Sequence, residues 1–136
     1  SLTVNIDMFE MGTNTSAVDK GDISEATSTI YAVQNTVLLI GMGGNNGNSS
    51  NNYHVSKVDE YTMATTGNAT DKGDLMRTTG SGGSVAQDGT YGYAVGGYDS
   101  QTLVQQYQFG TTTQTNNDGT LHTNVGNCCA GGCGTP

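Results

Sequence analysis

Two aspartate pairs, Asp19/Asp22 and Asp71/Asp74, stand in the same four-residue word, Asp-Lys-Gly-Asp. Two carboxylates around a flexible glycine are the start of a calcium site. Calcium takes about six to eight oxygens, however, and each word offers only two acidic side chains. Aspartates that bond their own backbone two residues on explain the same pattern as a turn, without an ion. The turn is the preferred reading, and no metal or cofactor is expected. The only cysteines, Cys128, Cys129 and Cys133, fall within six residues of the tail. They lack the paired C-x-x-C frame of a structural zinc site, even with His122 added. An odd number of clustered thiols suits a disulfide with one thiol left over, or a crosslink to a neighbouring chain. An oxidising, extracellular setting favours either.

Tyr91, Tyr93 and Tyr98 form the densest aromatic stretch. Aromatic faces beside Asn, Asp and Gln groups can stack on sugar rings, which makes these three candidates for glycan binding. Core and cross-strand packing is the competing use, and the preferred one. His54 and His122, the only histidines, have no nucleophile or carboxylate pattern around them. Gly80-Ser-Gly82 and Gly82-Gly-Ser84 are loop composition, without the spacing of a nucleophile elbow. Gly41-Met-Gly-Gly44 lacks the lysine and the following helix of a phosphate loop. No catalytic constellation emerges, so the chain is not expected to be an enzyme.

The remaining chemistry is that of surfaces. The 136 residues carry a net charge of −8 with only four Lys and Arg, which leaves no basic cluster for a phosphate backbone. Nucleic acid and anionic membrane surfaces are therefore poor partners. No apolar run approaches the roughly 18 residues of a membrane-spanning helix, so no membrane insertion is expected. Only 33% of residues are hydrophobic, Trp is absent and Pro occurs once. A charged fraction of 12% is nevertheless too low for ordinary disorder, which combines low hydrophobicity with high net charge. A Thr-rich, Gly-rich chain with short apolar runs reads as exposed β-structure. A start at Ser1 points to a processed protein or a piece of a longer one.

The elements that would position these residues repeat. Ile6-Asp-Met-Phe-Glu-Met11 followed by Asp19-Lys-Gly-Asp22 returns 52 residues later as Val58-Asp-Glu-Tyr-Thr-Met63 and Asp71-Lys-Gly-Asp74. A third copy, Val104-Gln-Gln-Tyr-Gln-Phe109 with Asn117-Asp-Gly-Thr120, follows after 46 more. Such a period marks an array of similar small units. Each copy opens with a strand whose fourth and sixth residues share a face: Phe9/Met11, Tyr61/Met63 and Tyr107/Phe109. That face is the predicted core. After the Asp-Lys-Gly-Asp turn, a Ser/Thr/Gly stretch such as Thr78 to Ala86 is predicted as an outer strand. An apolar strand then ends in a glycine pair, Gly43-Gly44 or Gly96-Gly97. The Asn45–Asn52 tract between copies reads as an exposed loop. The sequence divides into repeats at about 6–57, 58–103 and an incomplete 104–127, with a cysteine-containing tail, 128–136.

An apolar strand ending in Gly-Gly, an aromatic strand and a period of 46 to 52 resemble kelch-type β-propeller repeats, although this chain lacks their usual Trp. The stretch from Asp59 to Leu75 with Tyr91-Gly-Tyr-Ala-Val-Gly-Gly97 is similar to kelch-like repeats in virion and tail-associated proteins of marine tailed bacteriophages. The resemblance implies an all-β domain of four-stranded antiparallel blades. About two and a half units are present, fewer than the roughly four to eight of a closed ring. The array is thus expected to stay open or to be completed by other chains, and open strand edges favour self-association. The implied role is a structural protein of a virus particle, in a tail, fibre or surface assembly, serving architecture or host attachment. Its partners would be further copies, other virion proteins or a cell-surface glycan, and its place the virion or the extracellular space. A secreted fibre subunit or adhesin, or a glycan-binding repeat module, are the alternatives.

Overall fold

The computed structural model describes residues 2–9, 12–47, 54–80, 83–98, 102–112 and 116–122. Among them the alternating Thr, Val and Tyr content forms ten strands and no helix. These are β1 (Thr3–Met8), β2 (Val18–Thr27), β3 (Tyr31–Gln34), β4 (Leu38–Met42) and β5 (Val55–Thr62), then β6 (Thr70–Thr79), β7 (Gly83–Gln87), β8 (Tyr91–Gly96), β9 (Leu103–Gln108) and β10 (Asn116–Thr120). The first sheet is the pair β1-β2; β3 to β6 form a second, four-stranded sheet, and β7 to β10 a third. Every pairing is antiparallel and joins chain neighbours, so each sheet is a meander. Among the described residues the three sheets do not close into a propeller.

The sequence period is a period of backbone geometry. Strand β6 begins and ends 52 residues after β2. Ile6 pairs with Gly21 and Asp7 with Asp19; 52 residues on, Val58 pairs with Gly73 and Asp59 with Asp71. The third copy, faint in sequence, keeps the register: Val104 pairs with Gly119 and Gln105 with Asn117. The hairpin turns repeat as well. Asn35 accepts from the N–H groups of Val37 and Leu38, and Asp88 accepts from those of Thr90 and Tyr91.

That register corrects the reading of Asp-Lys-Gly-Asp as a turn. Both words lie inside ten-residue strands, where two residues face one across the ladder and the middle lysine is the extra residue of a β-bulge. Asp19 and Asp71 do bond their own backbone, each accepting the N–H two residues on at 2.9 Å. The local signal of an Asx turn and of this bulge is therefore the same. Only the partner strand, distant in sequence, separates them. The predicted outer strand from Thr78 to Ala86 is likewise divided: β6 ends at Thr79 in one sheet and β7 begins at Gly83 in the next. Each four-stranded sheet takes its first two strands from one sequence copy and its last two from the following one.

The core lies between the second and third sheets. Tyr31, Val33, Ile40, Met42, Val58 and Leu75 of the second sheet pack with Ala94 and Tyr107 of the third, and Val85 and Phe109 lie against them. A fully buried aliphatic or aromatic side chain of this kind stabilises the fold by about 1.5–3 kcal/mol. Tyr31 also ties the two sheets by hydrogen bonds, donating its hydroxyl to the Gly80 carbonyl and accepting from the Gly83 N–H at 2.8 Å. The glycine pairs permit the close approach at this end. A Cβ on Gly97, after β8 of the third sheet and with φ at +100°, would lie 2.9 Å from the hydroxyl of Tyr31 in the second.

The predicted aromatic face holds for two copies and fails for one. Tyr61 and Tyr107 are buried, with Met63 and Phe109 half-buried. Phe9 is 65% exposed, and Met11 lies outside the described residues. The reason is positional: this residue faces the preceding sheet, and no described sheet precedes the first.

Candidate functional site

The residues singled out by type do not converge. Asp71 accepts a hydrogen bond from the Lys57 ammonium and one from the Gly73 N–H, and these two, in that order, hold its carboxyl below the usual range. Asp74 accepts from the Ser56 hydroxyl at 2.8 Å. Asp19 caps its own bulge, and the Asp22 N–H is bound by the Asn68 side chain. The acidic pairs therefore serve the strands they sit in, and among the described residues no three metal-ligating side chains come together. With both side chains more than a third exposed, the Lys57–Asp71 pair contributes less than about 1 kcal/mol.

Tyr91 and Tyr93 are neighbours on one face of β8, with ring centroids 6.5 Å apart. Tyr98 stands beyond the strand's end, after Gly96 and Gly97 at φ +67° and +100°, and meets His54 edge-on at 5.2 Å. The three tyrosines thus belong to two surfaces. A hollow of about 680 Å³ beside the hairpin turns is lined by Gln34, Asn35, Met63, Gln87 and Asp88 among others. Its one carboxylate is engaged: besides the two turn amides, Asp88 accepts from the Tyr93 hydroxyl at 2.8 Å. The Tyr91 N–H, then Tyr93, hold its pKa below the usual carboxylate range. Of the Asn45–Asn52 tract, Asn45 bridges Ser28 and His54 and Gly47 is exposed; residues 48–52 lie outside the described residues. Cys128, Cys129 and Cys133 lie outside them too.

The polar groups with the most constrained surroundings are ones the composition did not flag. Asp59, Glu60 and Gln105 are buried at the sheet junctions. Glu60 is fully engaged, with Lys72 at 3.3 Å on one oxygen and the Gly110 N–H at 2.6 Å on the other. Gln105 reaches from β9 to the last strand of the preceding sheet, where it accepts the Arg77 N–H at 2.9 Å and donates to the Arg77 carbonyl at 3.3 Å. Asp59 holds the same place 46 residues earlier and reaches back in the same way, accepting the Ser24 N–H at 2.9 Å. A carboxylate cannot donate, however, and its second oxygen, Oδ1, is buried without a hydrogen-bond partner. The sequence did carry a sign of this. The second residue of each copy (Asp7, Asp59, Gln105) is polar yet alternates onto the same face as the aromatic fourth.

Asp59 borders a cavity of about 240 Å³ between the first and second sheets. Its walls are Asn5, Ile6 and Asp7 of β1, Ile23 and Thr27 of β2, and Ile30, Ala32, Leu39, Gly41, Tyr61 and Ala69 from the second sheet and its loops. Three successive β1 residues take part. It is mostly apolar, acidic where it is charged, and no basic residue lines it. No family model matches this chain, and a search of curated proteins finds no match to it either.

Proposed function

We propose that the chain is a non-enzymatic structural protein of a virus particle, a kelch-like repeat subunit of a tail, fibre or surface assembly that contributes to architecture or host attachment. The observation that carries this reading is that, among the described residues, the first and third sheets present unlike apolar outer surfaces. At one end the two-stranded sheet leaves Phe9 65% and Val18 59% exposed. At the other, the far face of the third sheet presents the Tyr91–Tyr93 pair. A repeat array needs its terminal faces covered or capped, and two different apolar ends suit head-to-tail contact between copies or with neighbouring proteins of a particle. The two four-stranded meanders and the resemblance in the Val58–Phe109 stretch support the same reading.

The test is the mass of the native particle by light scattering. The expected result is a discrete multiple of the 14.0 kDa chain that falls towards a single chain in Phe9→Asp, because a buried unpaired charge at a contact is strongly unfavourable. Open-ended polymers that shrink under reductant would favour the secreted-fibre alternative. A stable monomer at all concentrations would refute assembly through these ends.

A further inference from the structure

Asn46-Gly47 is the only asparagine–glycine pair in the chain. An asparagine is vulnerable when the next backbone nitrogen can reach its side-chain carbonyl carbon, and a glycine there puts no side chain in the way. Gly47 is exposed, with φ at +68°, so water and hydroxide have access to the pair. Asn35 is the contrast. Thr36 follows it, and its side-chain oxygen is held by the N–H groups of Val37 and Leu38 at 2.8 Å each. Residues 45 to 47 also form a seam between the first and second sheets. Ser28, just after β2, and Asn45, in the loop after β4, exchange both backbone hydrogen bonds at 2.8 Å. The Asn46 Nδ2 donates to the Glu25 carboxylate of β2 at 3.3 Å. Gly47 backs onto Leu2, where an added Cβ would lie 3.0 Å from a methyl carbon. Three successive residues thus hold β2 or the lead into β1.

We propose that Asn46-Gly47 is a self-modifying site, at which deamidation turns the amide that holds Glu25 into a carboxylate that repels it and so releases the end of β2 from the second sheet. In the first step the Gly47 backbone nitrogen, after giving its proton to hydroxide, attacks the Asn46 Cγ. The N–Cγ bond forms, the Cγ–Nδ2 bond breaks, and ammonia leaves with a proton taken from water. Water then opens the cyclic imide. Breaking the new N–Cγ bond gives aspartate, and breaking the original backbone C–N bond gives isoaspartate. Water and hydroxide are the only co-reactants, and nothing is oxidised or reduced. Either product puts an anion where the amide donor stood 3.3 Å from Glu25. A carboxylate has no proton to offer, and like charges this close disfavour each other. Both residues are half-buried, where water screens them less than on an open surface. Isoaspartate also lengthens the main chain by a methylene carbon right beside the Ser28–Asn45 pairing. The site takes no part in the assembly contacts, so it operates whether or not the chain assembles.

The full chain is aged in mildly alkaline buffer and digested, its peptides are weighed, and isoaspartate is counted by methyltransferase labelling. Asn46 is expected to gain the mass difference between an amide and an acid before any other asparagine, while Asn35 stays unchanged. Hydrogen exchange at the Ser28 amide of the aged chain should be about tenfold faster, from the loss of a hydrogen bond to a charged group. Exchange at Ile40 and Val58, which are fully buried, should not move, and so reports that the fold is intact. Asn46→Asp should reproduce the faster Ser28 exchange without ageing, and Asn46→Gln, whose longer side chain cyclises far less readily, should gain no mass. Glu25→Gln leaves the ageing chemistry in place and removes the opposing charge. In that background Asn46→Asp should leave Ser28 as protected as in Glu25→Gln alone. An Asn46 that outlasts the other asparagines would overturn the proposal. So would unchanged Ser28 exchange in Asn46→Asp, or an equal loosening in the Glu25→Gln background, since charge opposition would then not be the cause.

Discussion

Tyr107→Ala is expected to lower the free energy of unfolding by about 3–5 kcal/mol, whereas Phe9→Ala, at the same place in the first copy, should change it by less than about 0.5 kcal/mol. The two residues share a repeat position and an aromatic ring; they differ in what stands in front of them. Tyr107 is 1% exposed within the cluster between the second and third sheets, and its hydroxyl donates to the Thr111 carbonyl at 2.5 Å. Tyr61 makes the same bond to Thr65 in its own copy. Phe9 has no hydroxyl and faces solvent. Truncation at position 107 removes the buried ring and leaves a void, while truncation at position 9 removes surface already in water. Tyr107→Phe separates the two contributions, keeping the ring and losing the hydrogen bond, at about 1 kcal/mol.

Alkaline titration adds an independent check on the same residue. Burial, and then the Glu60 carboxylate, push the Tyr107 phenol up to about 12, against a smaller opposing effect of the Thr111 bond. An unfolded tyrosine ionises near pH 10. The raised folded value means that the native state holds this proton when the unfolded state has released it. The associated stability is complete below about pH 10 and is lost as pH rises from there through about 12. Urea unfolding of the native sequence and of Tyr107→Phe at pH 7, 10 and 11 should show a steeper alkaline loss in the former. Equal losses, or a Tyr107→Ala variant as stable as Phe9→Ala, would mean that the third sheet is not packed on the second through this ring.

Gly21→Ala is expected to cost about 2 kcal/mol more than Gly73→Ala, although the two glycines are 52 residues apart at the same bulge position. Both hold φ values that side chains disfavour, +134° and +121°, and each variant pays backbone strain of about 1–3 kcal/mol. Around Gly73 there is open space, whereas a Cβ on Gly21 would lie 2.1 Å from the Gly67 carbonyl oxygen. The loop between β5 and β6 runs across β2 here. The Gly67 N–H donates to the Lys20 carbonyl at 2.8 Å, the Ala69 N–H to that of Asp22 at 2.7 Å, and the Asp22 N–H to the Asn68 side chain at 3.2 Å. An alanine at position 21 displaces that loop and with it two or three hydrogen bonds, each worth about 1 kcal/mol. Hydrogen exchange should localise the damage: faster at β1 and β2 in Gly21→Ala, unchanged there in Gly73→Ala. Equal costs and equal exchange would show that the first sheet is not held through this loop.

The aromatic strand and the glycine-ended strand of each copy, and the period that relates them, were legible because alternation and turn chemistry are properties of neighbours along the chain. The copy from Val58 to Leu75 can be read against the one 52 residues earlier without knowing what either touches. Position four of each copy is aromatic on local grounds, but whether it is buried depends on a preceding sheet, which among the described strands Tyr61 and Tyr107 have and Phe9 does not. Asp-Lys-Gly-Asp shows the same division: the aspartate's bond to the backbone two residues on is local, while bulge or turn depends on the strand alongside. Asp59 and Gln105 differ in sequence by a carboxylate against an amide and by one methylene. Their contrast, one amide with both hydrogen-bonding groups engaged and one carboxylate with a buried oxygen left without a partner, comes into being only when the strand of another sheet presents its backbone at hydrogen-bonding distance. Spacing along the chain thus decided the period and the strand faces of this protein. Burial and polar satisfaction were decided by which surfaces the folded sheets bring opposite one another.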